Sequence, residues 1–346
     1  MYHKEHFEKE EISVLQEFYE KEFTVDPVLS LIGEKEFSQR EFGFLFQNDH
    51  FNRNFSFNTP NELINFVREK IPKSIYVGAV YHPRGPTNQL TIHDLDFARR
   101  ELIFDLDLTE YDAVRPCSCK GKYELCHRCW ELIRTAAFWI EDTLKDDFGL
   151  NSDDLVWVFS GRRGLHLWVK DYDFSKLDTD QRSAIVDYLS LIKGEGKDVQ
   201  LTTQFVQFPQ NLYQRVISHI VIPFLKESSR SSLEFLGFTP ERALEIMKNR
   251  DLQGVDQAFL QKNVFLSNQI RQKLPTNIKI PSNEEIQKRI LVLWGPRIDA
   301  PVSKDTKRIL RMPGSIHGQT GNLVRILDEN ELDYFDPLEE GSIFQN

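Results

Sequence analysis

Apolar positions along the chain follow two periods. Phe7, Val14, Leu15, Phe18 and Phe23 recur at helical spacing and predict a helix over residues 7–23, with a shorter helix starting near Pro27. In SQREFGFLFQNDHFNRNFSF, aromatic and polar residues alternate, which predicts a hairpin turning near Asn48-Asp49. Thr59-Pro60 has the chemistry of an N-cap and a first-turn proline, for a helix reaching about Lys70. SIYVGAVYH is an apolar strand, followed by a loop with Pro83, Gly85 and Pro86. ELIFDLDLTEYD, residues 101 to 112, reads as a further strand. Trp130, Ile133, Ala137, Ile140, Leu144 and Phe148 share one side of a helix over 130–148, with Gly149 suited to its C-cap. LVWVFS and LHLWV are short buried strands joined by the turn GRRG, and residues 180 to 193 are helical.

The texture changes at Gly194 and Gly196. The next ninety residues or so are polar and rich in Gln and Asn, with helical fragments in EFLGFTPERALEIM and VDQAFLQKNVFL. The pattern predicts three segments: a core over residues 1–193, an inserted helical subdomain over 194–285, and a return to the core over 286–346. The last opens on the strand-like run LVLWGPRID and ends in an acidic tail, ILDENELDYFDPLEE.

Composition narrows the class. With 346 residues there is enough chain for a sizeable core, and a charged fraction of 28% argues against wholesale disorder. The net charge of −10 means that any nucleic-acid site must be a local basic patch. No run of about 18 apolar residues exists, and MYHKEHFEKEE is too polar for a signal peptide, so no membrane association and an intracellular location are expected.

Four stretches carry candidate chemistry. On the strand 101–108, Asp105 and Asp107 share a face with Ile103, while Leu102, Phe104, Leu106 and Leu108 take the other. Neighbouring aspartates on a rigid strand repel each other unless a cation sits between them. Their hard oxygens suit Mg²⁺ or Mn²⁺; the alternative is an acidic edge strand protected from aggregation. Asp299, after LVLWGPRI, is the candidate third carboxylate of a two-metal site. All four cysteines lie in Cys117-x-Cys119-x6-Cys126-x2-Cys129, a spacing that fits one structural, tetrahedral Zn²⁺. Ser160-Gly161-Arg162-Arg163-Gly164-Leu165-His166 combines a tight turn, a hydroxyl, two arginines and a histidine, donors suited to a triphosphate. A second basic loop, Lys307 to His317, places Arg311 and His317 on either side of a Pro-Gly turn.

In this order the four stretches resemble the catalytic (small) subunit of the archaeo-eukaryotic DNA primases, and the eukaryotic members more closely. ELIFDLDLTEYD is similar to that family's carboxylate motif, the CxC…CxxCW run to its zinc motif and SGRRGLHLWV to its nucleotide-binding hairpin. The segment from Asp299 to RILRMPGSIHGQTG is similar to its third motif. The resemblance implies a mixed α/β core of sheets flanked by helices, with a smaller helical insertion and a structural zinc site. It implies that Asp105, Asp107 and Asp299 bind two catalytic ions, Mg²⁺ or Mn²⁺, and that the four cysteines hold one zinc. It further implies that Ser160, Arg162, Arg163, His166, Arg311 and His317 bind a ribonucleoside triphosphate, with Glu41 and Arg53 nearby. Phe51 stands where eukaryotic relatives carry Tyr, Ser74 where they carry Lys, and Arg311 where they carry Lys.

The activity so implied is synthesis of short RNA primers on a single-stranded DNA template. The implied partners are a large primase subunit in a heterodimer and, in a eukaryote, the DNA polymerase alpha complex. The location would be nuclear in a eukaryote and cytoplasmic in an archaeon. Alternatives from the residues are a primase-polymerase that also uses deoxynucleotides, a metal-dependent phosphodiesterase, and a non-catalytic zinc-stabilised subunit. The phosphodiesterase does not explain two separate basic loops, and the intact carboxylates argue against a non-catalytic subunit.

Overall fold

A computed structural model describes residues 9–82, 95–115, 117, 119, 125–193, 200–201, 215–253 and 283–344. The expected loop at Pro83, Gly85 and Pro86 and the VDQAFLQKNVFL helix lie outside the described residues. The chain forms two compact units, one from residues 1–107, 144–187 and 298–346, the other from 108–143 and 188–297. Both mix helices with antiparallel sheet, so the α/β class holds.

The strands in chain order are β1 (Arg40–Leu45), β2 (Phe51–Phe55), β3 (Ser74–His82), β4 (Asp96–Arg99), β5 (Leu102–Asp107), β6 (Leu155–Phe159) and β7 (Gly164–Val169). β8 (Ile192–Lys193), β9 (Gln200–Leu201), β10 (Leu310–Arg311) and β11 (Arg325–Ile326) follow. In the first unit one sheet runs β10-β3-β1-β2, with β4 also on β3, and a second runs β11-β6-β7-β5. Every pairing in both sheets is antiparallel.

Local chemistry explains these elements. The β1–β2 hairpin turns through Asp49 at φ +60°, a left-handed conformation that Asp tolerates. Its aromatics then pack on one another: Phe44 meets Phe55 edge to face, with ring centroids 5.2 Å apart. Thr59 caps the Pro60–Lys70 helix by accepting from the Glu62 amide at 3.2 Å. The Lys9–Lys21 helix buries Leu15, Phe18 and Tyr19 against the same core as Phe42, Phe44, Val67, Ile75, Ile103 and Met312. Burial of each such side chain contributes roughly 1.5–3 kcal/mol.

The GRRG turn needs both glycines, for different reasons. Gly161 sits at φ +83°, where a Cβ is strained. Gly164 pairs with Asp107, and a Cβ there would stand 2.4 Å from the Leu106 carbonyl oxygen. β5 ends its sheet, and the Asp299 amide donates to the Asp105 carbonyl oxygen at 3.0 Å, so this edge is not left open at Asp105.

Three expectations are corrected. The helix expected over residues 180–193 is Thr179–Leu189, and Ile192–Lys193 forms β8 instead. Of ELIFDLDLTEYD only Leu102–Asp107 is strand, and Leu108–Tyr111 is a 3-10 turn. The run LVLW is not strand-like: it is the last turn of a helix, Asn283–Trp294. A four-residue apolar run has no readable period of its own. The preceding residues supply it, since Ile286, Ile290, Leu291 and Trp294 fall at helical spacing and are all buried.

The long helix begins at His127 and runs to Phe148, its residues up to Thr143 belonging to the second unit. It buries Leu132, Ala136 and Trp139 as well as the expected Ile133, Ala137 and Ile140. Trp139 donates to the Leu189 carbonyl at 3.0 Å, and Arg215 donates to Thr143 Oγ1 at 2.9 Å. Helices Ile222–Glu227, Arg230–Phe235 and Pro240–Gln253 follow a π-helical turn at Ile217–Val221. Among the described residues no helix is long and apolar enough to cross a membrane.

Candidate active site

In the first unit, a polar cavity of about 220 Å³ is lined by Tyr76, Asp105, Asp107, Ser160, Arg162, His166, Ile309, Leu310, Arg311 and His317. Residues far apart in sequence meet there because strand pairing aligns them. Asp105 lies opposite His166 and Asp107 opposite Gly164 across β5–β7, while Arg311 lies opposite Tyr76 across β10–β3.

The two carboxylates meet cations and donors immediately. Arg163 Nε donates to Asp107 Oδ1 at 2.8 Å, and His166 Nε2 is 3.6 Å from Asp105 Oδ1. The Asp105 side chain is 17% exposed and that of Asp107 39%, so both open on the cavity without being free surface charges. Asp299 does not line the cavity. It is tied to the carboxylate strand through its amide. Burial raises its carboxyl above the usual aspartate range, Arg308 opposes that rise, and the charge of Asp107 adds to it. Asp105 and Asp107 offer the hard oxygens that a divalent cation takes, and Asp299 does not gather with them into a group of three.

The lining also carries cations. Arg311 Nη1 donates to the Ser160 carbonyl at 3.1 Å, its guanidinium lies 5.9 Å from the Tyr76 ring centre, and its Nε is buried without a partner. Arg162 donates to Gln319 Oε1 at 2.9 Å. Burial pulls Arg162 down to about 10, and repulsion from Arg163 and Arg311 works in the same direction. An anionic ligand would relieve that repulsion.

The two histidines are neutral at pH 7. Burial, then Arg311, takes His166 down to about 3, and the same causes hold His317 well below its ordinary value. His317 Nδ1 accepts from the Gln319 amide at 3.3 Å, which assigns the proton to Nε2 and makes that atom a donor. His166 Nδ1 is buried with no partner.

Two expected residues are turned to each other. Arg53 donates to both oxygens of the buried Glu41 at 2.6 and 3.0 Å, and also to the Lys307 carbonyl at 2.7 Å. They brace the second basic loop from outside the lining. Tyr76, Ile309 and Leu310 were not expected at the site. Tyr76 sits in an otherwise apolar strand run, and the other two are hidden between basic residues. Only the β10–β3 register brings them in.

The second unit carries the cysteines. The Sγ atoms of Cys117, Cys119, Cys126 and Cys129 all lie within 4.8 Å of one another, and no other group of three or more metal-ligating side chains gathers among the described residues. Pairs stand at 2.8 Å (Cys117–Cys119), 3.2 Å (Cys119–Cys126) and 3.7 Å (Cys119–Cys129 and Cys126–Cys129). Four thiolates around zinc at ~2.3 Å would stand about 3.8 Å apart, so this cluster can hold that ion. Burial pushes the Cys119 and Cys129 thiols up to about 12, so a cation must displace their protons. Arg115 locks the loop by donating to the Leu108 and Cys119 carbonyls, both at 3.1 Å.

Known proteins are similar to this chain in sequence. A family model described as DNA primase small subunit matches residues 104–329, from β5 past both basic loops. The DNA primase small subunit of Drosophila melanogaster is 28% identical, over 89% of this chain and 74% of its own length. That of Schizosaccharomyces pombe is 29% identical over 88% and 69%. An archaeal DNA primase small subunit, from Methanocella arvoryzae, is 30% identical over 89% and 81%. With both carboxylates of β5, all four cysteines and both basic loops inside the matched range, the chain belongs to the DNA primase small subunit family.

Proposed function

We propose that this chain is the catalytic subunit of a primase that makes short RNA primers on single-stranded DNA for replication. One observation carries the reading: a single cavity sets Asp105 and Asp107 against Arg162, Arg311 and two neutral histidines. Asp105, Asp107 and Asp299 are the residues to hold two divalent ions, Mg²⁺ or Mn²⁺. When bound, such ions supply Lewis-acid stabilisation of the charge that develops on phosphoryl and hydroxyl oxygens.

The protein's own groups do the rest. Arg162, Arg163 and Arg311 offer forked N–H donors that orient a ribonucleoside triphosphate. Ser160 adds a hydroxyl. His166 and His317, being neutral, donate hydrogen bonds without adding to the repulsion among the arginines. Glu41 and Arg53 hold the second basic loop in place. Preorganised donors of this kind lower the barrier because they need no reorientation as charge moves.

Cys117, Cys119, Cys126 and Cys129 hold one structural zinc in this reading, and residues 194–285 are an inserted helical subdomain within the catalytic core. The partners are a large primase subunit, the single-stranded template and ribonucleoside triphosphates; a eukaryotic chain, the favoured reading, adds the DNA polymerase alpha complex and a nuclear location, and an archaeal chain a cytoplasmic one. The similarity to fly and yeast small subunits supports that assignment.

The test is direct. The purified chain is incubated with a single-stranded template, labelled ATP and GTP and either Mg²⁺ or Mn²⁺, with and without a large subunit. Short RNA products are expected. Changing Asp105→Ala and Asp107→Ala together should abolish them and leave the fold intact, as judged by the circular dichroism spectrum. A folded wild-type protein that makes no RNA in either arm overturns the proposal.

A further inference from the structure

The β3–β10 ladder pairs Leu310 with Val77 and Arg311 with Tyr76, and the Met312 amide continues it by donating to the Ile75 carbonyl at 2.8 Å. The next rung falls on Ser74. Backbone pairing stops there because the chain turns away through Gly314 at φ +86°. The Ser74 hydroxyl takes over. It accepts from the Gly318 amide at 3.1 Å and donates to the Ile316 carbonyl at 3.4 Å. Those two contacts fall one residue before and one residue after His317.

The approach is as close as glycine permits. A Cβ on Gly318 would stand 2.8 Å from Ser74 Oγ and 2.9 Å from the Lys73 carbonyl oxygen. From the other side, a Cβ on Gly161 would stand 2.6 Å from the Cβ of His317. The His317 amide donates to the Asn322 carbonyl at 2.8 Å, and Thr320 Oγ1 donates to the Gly161 carbonyl at 2.7 Å. The backbone that carries this imidazole is therefore held between the Gly161 turn and the hydroxyl of Ser74, a residue 1% exposed. A hydroxyl at the end of a strand has no packing reason to be buried, and here both its lone pair and its proton are used on the loop that carries His317.

We infer that Ser74 is a positioning residue for His317: it extends the β3 ladder by a side-chain rung and so aims the Nε2–H donor at the bound triphosphate. This rests on the reading of the cavity as a triphosphate site. Ser74 itself does not line the cavity, so it acts through the loop and not on the nucleotide.

Two measurements on the full chain test this. The first is equilibrium titration of fluorescently labelled ATP with Mg²⁺ into wild type, Ser74→Ala, His317→Ala and the double variant. Ser74→Ala should weaken binding about 3- to 10-fold, the scale of one lost hydrogen bond. It should add nothing in the His317→Ala background. A Ser74→Ala effect that persists undiminished without the imidazole overturns the inference. The second is amide hydrogen exchange at Gly318, which needs no nucleotide. Faster exchange in Ser74→Ala, with the melting temperature kept, supports the rung, and unchanged exchange overturns it. If wild type binds no labelled ATP, the triphosphate reading itself fails, and the role assigned to Ser74 falls with it even where Gly318 exchange responds.

Discussion

Three consecutive charges precede the carboxylate strand, and all three are spent inside the protein. Glu101 is buried and accepts from Arg40 at 2.7 and 2.9 Å and from Arg99 at 2.9 Å. Arg99 also donates to Glu36 at 2.6 Å. Arg100 donates to the Val302 and Asp305 carbonyls, both at 3.0 Å, and burial pulls it down to about 10. These residues fix where β5 begins and how the segment after Asp299 lies on it. Removing one partner of a buried pair leaves the other charge stranded, so Glu101→Ala should cost about 3–5 kcal/mol. Urea unfolding checks it, and a loss under about 1 kcal/mol would show that the network is not tightly coupled. At this scale the sequence was readable where candidate ligands are neighbours. Asp105 and Asp107 lie two apart, and the cysteines fall within one short run. It was silent on Glu101, because nothing local distinguishes a buried Arg-Arg-Glu from a solvated one. It also did not reveal that Glu41 and Arg53 pair with each other, which follows only from the β1–β2 register.

Among the elements, the β5–β7 pair does most to shape the site. Its register sets Asp105 beside His166, and the turn at its end sets Asp107 beside Arg163. Gly164 is the tightest point. A methyl group there meets backbone, which cannot swing aside as a flexible side chain can. Gly164→Ala should therefore push β7 from β5 at Asp107 and reduce primer synthesis at least tenfold. Most of the fold should remain, as judged by circular dichroism; wild-type activity in that variant would refute the close approach. Hairpins and long helices were legible because their period is local: β1–β2 by alternation, His127–Phe148 by spacing, and the Pro60–Lys70 start by its cap. β10 and β11 were not, since two residues carry no period. LVLW misled for the same reason, and its helical register comes from residues upstream.

At the scale of the whole molecule, two compact units carry two different chemistries. The cavity belongs to the first and the cysteine cluster to the second. Protein purified with zinc should hold close to one ion per chain. Removing it with a chelator should loosen the start of the long helix, because Cys129 lies in its first turn and Cys126 just before it. Hydrogen exchange should then rise at Trp130 to Ile133 and stay unchanged at Val158 and Leu167. A zinc-free protein with full protection at Trp130 would refute the assignment. The overall class and the order of the chemical stretches were visible in the sequence, because each stretch is short and self-contained. The boundary between the units was not. The second unit takes in residues 108–143 as well as the segment after 188, a grouping set by packing and not by any change in composition.

The ladders also set an order of events in time. β3 is complete once residue 82 has been made, yet its partner β10 arrives more than two hundred residues later. β6 waits likewise for β11. During synthesis both strands present unpaired amides and carbonyls that only the distal end of the chain can satisfy. Pairings across such long loops form slowly and expose edges meanwhile. The nascent chain is thus at its most aggregation-prone with the carboxylates already in place and the arginine of the second loop still missing. The cavity cannot be complete before residue 317 has emerged, so a chain stalled on the ribosome short of that point carries the carboxylates without the whole of the second basic loop.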